Sequence, residues 1–120
     1  MSLESCYAAM GGDLEGVRGR LLTDERIRKF AAIFLEDKSF ENLGASLEEG
    51  NLAEAFRAAH TMKGISRDLG FTPLFEASSA LSDALRLDDA GVPADMSAVP
   101  ELLRVTEEAY QRTVAAVSAL

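Results

Sequence analysis

The breakers in this 120-residue chain fall about one helix apart, and between them nothing alternates. Gly11–Gly12, Gly50–Asn51, Gly70, Gly91–Val92–Pro93 and Pro100 cut it into segments in which apolar residues recur every three or four positions. That period belongs to a helix with one buried face, whereas a half-buried strand would alternate every second residue. A chain punctuated in this way has few choices beyond packing helix against helix.

The segments can be read in order. Leu3 to Met10 and Asp13 to Arg20 make two short helices. Thr23 suits an N-cap, with Asp24 and Glu25 at the positive end of a third helix whose stripe is Ile27, Phe30, Ala31, Phe34 and Leu35. Ser39 suits the cap of the next, with Phe40, Leu43 and Leu47 along it. Asn51 with Glu54 reads as a capping box opening a long helix from Leu52 to about Leu69, which Gly70 closes. Thr72–Pro73 reads as a cap followed by a first-turn proline. Leu74, Ala77, Leu81 and Leu85 form that helix's stripe. The last helix starts near Val99–Pro100 and carries Leu102, Thr106, Ala109, Thr113, Val117 and Leu120 on one side; Leu87 to Ala98 reads as loop. Short connections favour antiparallel neighbours. The expected fold is all-α: one domain over residues 1–120, an antiparallel four-helix bundle over about 23–119 with additional short N-terminal helices in 1–20.

Composition narrows the function. An apolar fraction of 48% can fill one core. The net charge of −8 argues against nucleic acid and against an anionic membrane surface, both of which select clustered Lys and Arg. The single Cys6 allows neither an internal disulfide nor a cysteine-based zinc site. No stretch approaches the ~20 apolar residues of a membrane span, and the N-terminus does not resemble a signal peptide. A reducing cytoplasm is the expected compartment. The acidic pairs Asp24–Glu25, Glu48–Glu49, Asp88–Asp89 and Glu107–Glu108 lack the histidine partners of a transition-metal site. Tyr7 and Tyr110 are expected to pack on the bundle with wet hydroxyls.

There is one histidine, His60. Winding the long helix at 100° per residue gathers Leu52, Ala55, Phe56, Ala59, Met62, Ser66 and Leu69 on a core arc and leaves His60 roughly 115–120° from its centre. Lys63, Gly64 and Arg67 follow on the same side. A glycine inside a helix costs about 1 kcal/mol against alanine, so Gly64 calls for a reason. Room for another protein to approach an exposed nucleophile is one. Lys63 and Arg67 place positive charge where an added dianion would need it.

The run Ala59-His60-Thr61-Met62-Lys63-Gly64-Ile65-Ser66-Arg67-Asp68-Leu69-Gly70 resembles the signature of histidine-containing phosphotransfer (HPt) domains. There a His is followed by Lys and Gly one turn on, and by Leu-Gly near the helix end. His60, Lys63, Gly64, Leu69 and Gly70 fill those places, and the likeness extends over about residues 13 to 119. The resemblance implies that His60 is the phosphoacceptor, attacking through Nε2, and that the chain relays a phosphoryl group between receiver-domain aspartates in a two-component system. It implies that Lys63 neutralises the transferred group and that Gly64 clears space for the docking receiver. Arg67 and Arg86 are supporting positions. Many members carry Glu or Gln, holding Nδ1–H, where this chain has Ser82.

The implied partners are a response-regulator receiver and an upstream sensor histidine kinase, with the chain itself a monomer. No glycine-rich phosphate loop or kinase motif is present, so the chain is expected to be a carrier without an ATP site or cofactor of its own, Mg²⁺ belonging to the partner receiver. Two other readings compete. One is a helical adaptor that binds a receiver without carrying phosphate; the other is the phosphoacceptor module of a larger sensor kinase, against which Met1 and the helical end at Leu120 weigh mildly. A metal-dependent hydrolase is poorly served by a single histidine.

Overall fold

The computed structural model describes residues 1–120 and is all-helical apart from its connections, the longest of which, before Met96, holds an isolated bridge between Leu87 and Pro93. Seven α-helices follow one another: α1 (Leu3–Met10), α2 (Leu14–Leu21), α3 (Asp24–Phe34), α4 (Ser39–Glu49), α5 (Leu52–Asp68), α6 (Thr72–Leu85) and α7 (Val99–Ser118), the last preceded by a single 3-10 turn at Met96–Ala98. α4, α5, α6 and α7 pack as successive neighbours. Two residues join α4 to α5 and three join α5 to α6, links so short that each helix must run back along the one before it. α1 and α3 lean on α7, completing an elongated bundle of 46 × 23 × 20 Å. No helix is long and apolar enough to cross a membrane.

Local sequence fixes most of the boundaries. Thr23 Oγ1 accepts from the Arg26 amide at 3.2 Å, and Asn51 Oδ1 from that of Glu54 at 3.2 Å. Each satisfies an amide that a helix start leaves bare. Only half of the expected box forms, because the Glu54 carboxylate pairs with Arg57 at 3.1 Å. Gly70 takes φ +69, which a left-handed helix terminus requires and a side chain resists. Two expected caps are displaced by one residue. Ser39 is the first residue of α4, and its amide is capped by Asp37 Oδ2 at 2.9 Å; Thr72 is likewise inside α6, behind Phe71.

Ile27, Ala31 and Phe34 of α3 are buried, but Phe30 and Leu35, placed on the same stripe, are exposed. The buried arc of this helix is narrower than the sequence suggests. Phe30 and Ile33 instead border an open apolar groove of about 440 Å³ with Leu21 of α2 and Ile65 of α5, rimmed by Glu36, Asp37 and Asp68.

The N-terminal helices are tied to the far end of α5. Tyr7 is buried and its hydroxyl donates to the Leu69 carbonyl at 2.7 Å, so it is not wet as expected. The Asp13 amide donates to Gly70 O at 2.8 Å. Arg20 donates from Nε to Asp68 O at 3.2 Å and from Nη2 to Arg67 O at 3.1 Å. These carbonyls are ones that a helix end leaves unsatisfied.

The interfaces between long helices hold small hydroxyl residues that return their proton to the preceding turn. Ser66 donates to Met62 O at 2.7 Å, Ser78 to Leu74 O at 2.6 Å, Thr106 to Leu102 O at 2.7 Å and Thr113 to Ala109 O at 2.8 Å. This lets a polar atom enter a packed seam without an unmet bond.

Candidate functional site

α5 carries His60 midway along its length, and the residue is exposed. The core face of the helix is set by Ala55, Ala58, Ala59, Met62 and Ser66, all buried. Leu52 and Phe56, assigned to that face from the winding, are only half buried. The buried arc thus consists of small residues and Met62, with Leu52 and Phe56 at its margin.

None of the side-chain hydrogen bonds made by α5 and α6 involves the imidazole, so both ring nitrogens are unengaged. The ring lies instead against Phe56, one turn earlier on the same helix. The centroids are 5.7 Å apart and the planes 20° from parallel. The Arg86 guanidinium carbon is 5.3 Å from the Phe56 centroid. Arg86 caps the C-terminus of α6 and pairs with Asp83 at 3.5 Å. Phe56, His60 and Arg86, with Ala53, Arg57 and Leu87, line a shallow depression of about 440 Å³ at the edge of the histidine ring.

The expected residues divide by position. Lys63 is half buried and enters none of the ion pairs. At Gly64 a built Cβ would meet nothing within 4 Å, so no contact inside the fold requires a glycine. Arg67 is outside the depression and is paired with Asp68 at 3.2 Å. Arg86 is inside it. Ser82 does not reach the histidine. It is fully buried and its Oγ has no hydrogen-bond partner, unlike the hydroxyls of Ser66, Ser78, Thr106 and Thr113.

Sequence reasoning missed Phe56, Arg57, Ala53 and Leu87. For Phe56 and Arg57 a signal existed, since residues three and four positions before His60 share its side of the helix. For Leu87 there was none, because only the return of α6 brings it near. No three His, Cys, Asp or Glu side chains come together in a way that could hold a metal ion.

An exposed, unengaged imidazole on a rigid helix, with free positive charge and an empty turn beside it, is suited to forming and losing a bond to an electrophile delivered from outside. Comparison with protein-family models gives a match to the Hpt domain over residues 31–117. Neither the curated proteins nor the solved structures give a match. The matched segment runs from the last turn of α3 to the last turn of α7 and includes every residue of the histidine's surroundings. The chain belongs to the Hpt domain family, the histidine-containing phosphotransfer modules.

Proposed function

We propose that the chain is a phosphocarrier of a two-component relay, in which His60 accepts a phosphoryl group from one receiver aspartate and passes it to another. Members of the family are phosphocarriers and not kinases. The observation that carries the reading for this chain is the solvent-open His60 ring, with both nitrogens free, one turn from the vacant surface over Gly64.

The chemistry is a displacement at phosphorus. The lone pair of Nε2 forms an N–P bond as the P–O bond to the aspartyl carboxylate breaks, and the carboxylate leaves with the electron pair. The reverse step delivers the group onward. Such transfers rest on positioning and on charge stabilisation. Lys63, with no carboxylate to satisfy, is the cation available to the transferred oxygens; Arg86 is a second, held near by Phe56 and releasable from its exposed partner Asp83. Mg²⁺ comes with the receiver, where it neutralises the aspartyl phosphate. We further propose that the receiver covers His60 and Gly64 and extends onto the groove of Leu21, Phe30, Ile33 and Ile65, whose apolar surface begins at the residue after Gly64.

The test is incubation with a receiver phosphorylated on aspartate. An acid-labile, base-stable label should move to the chain and be absent from His60→Gln. Equal labelling of the two proteins, or none on the wild type, refutes the carrier and leaves the adaptor.

A further inference from the structure

A nucleophilic imidazole has to be held in one plane, because free rotation about its side-chain bonds dilutes the geometry in which it can attack. A hydrogen bond to one nitrogen is the usual restraint. In this chain neither nitrogen has one, and the buried hydroxyl of Ser82 bonds to nothing. The ring's defined contact is a face. Phe56 lies 5.7 Å away and nearly parallel, as an offset aromatic pair. The helix imposes this pairing, since residues 56 and 60 stand one turn apart. Phe56 is engaged in turn by the Arg86 guanidinium, which reaches it from α6.

We propose that Phe56 is a positioning residue that fixes the plane of His60 for phosphoryl transfer, and that Arg86 keeps Phe56 in place for it. This rests on His60 being the phosphoacceptor. Stacking restrains the ring through its π surface and leaves both nitrogens open at its edge. The ring can therefore take up and release a phosphoryl group without breaking the contact that orients it. Stacking also selects neither tautomer, whereas a hydrogen bond to one nitrogen would favour one of them. A ring oriented by Phe56 alone populates both neutral tautomers.

The experiment compares wild type, Phe56→Leu, Phe56→Tyr and His60→Gln as full chains. The readouts are the NMR signals of the His60 ring and the rate of labelling by phosphoramidate, a small donor that needs no docking surface. The wild-type ring protons should show the ring-current displacement of a stacked aromatic, and the ring ¹⁵N shifts an average of two tautomers. Phe56→Leu should abolish the displacement and slow labelling roughly two- to tenfold, the worth of one aromatic pair. Phe56→Tyr should restore both. Labelling of Phe56→Leu at the wild-type rate, a single fixed tautomer, or a loss that Tyr does not rescue overturns the positioning role alone. Absence of label on the wild type overturns the phosphoacceptor reading and the positioning role with it.

Discussion

Replacing Gly64 by Ala should make the protein more stable and less able to exchange phosphate with a receiver. Gly64 lies in the interior of α5 with no positive φ, and the added methyl meets nothing within 4 Å. The substitution therefore has no steric cost and gains the helix-propensity difference, about 1 kcal/mol. For a domain of this length that is a rise of about 4 °C in Tm. Gly44 in α4 is equally open, so Gly44→Ala should gain a similar amount and calibrates the scale. Scanning calorimetry measures the gain, and transfer from a phosphorylated receiver measures the loss, with phosphoramidate labelling as the docking-free reference. A Tm that stays level or falls would show that the glycine answers a need inside the fold. A gain in Tm with undiminished transfer from the receiver would show that the receiver does not approach across this turn. Stability given up at a surface position is what a docking requirement leaves behind.

Other outcomes follow from the same geometry. Phe30→Ser should slow labelling by a receiver while leaving phosphoramidate labelling unchanged, because the exposed groove takes no part in the chemistry; equal rates from the receiver would remove the groove from the interface. Tyr7→Phe leaves the Leu69 carbonyl without its donor and should cost about 1–3 kcal/mol in urea unfolding. Burial raises the Tyr7 phenol above its ordinary value of 10.0. The neutral hydroxyl is thus favoured in the folded chain, and the stability linked to it is complete below pH 10 and lost as pH climbs toward the raised value; Tyr7→Phe should flatten that alkaline decline. Ser82→Ala removes a buried hydroxyl with no partner and should leave stability unchanged or raise it by up to about 1 kcal/mol, and a clear loss would reveal a bond that the hydroxyl makes in solution.

The helical frame was legible because its signals are local. Thr23, Asn51 and Gly70 act within one turn of themselves, and the apolar period needs no knowledge of the neighbours. At the start of α4 the expected cap, Ser39, is not the one used: the Asp37 carboxylate, two residues earlier, accepts from the Ser39 amide. Phe30 shows a different failure, since a helix pattern reports which residues could be buried but not how wide a face the neighbouring helices cover. At the site, the place of His60, Lys63 and Gly64 along one side of a helix could be wound from the sequence. The environment of the ring could not. Whether Ser82 meets the imidazole depends on how closely α6 approaches α5, and its hydroxyl is buried in the packing instead. Phe56 was misplaced for the same reason, at the margin between covered and open.

The bonds from Tyr7, Asp13 and Arg20 bear on how much of the chain the histidine helix needs. A version of the protein that began at Ala31 would lose, all at once, the bonds that these three residues make to the carbonyls of Arg67, Asp68, Leu69 and Gly70. Unravelling would start there and reach Gly64 after a single turn. The first thirty residues thus serve as a buttress, and shortening the chain from that end would loosen the platform on which the imidazole stands.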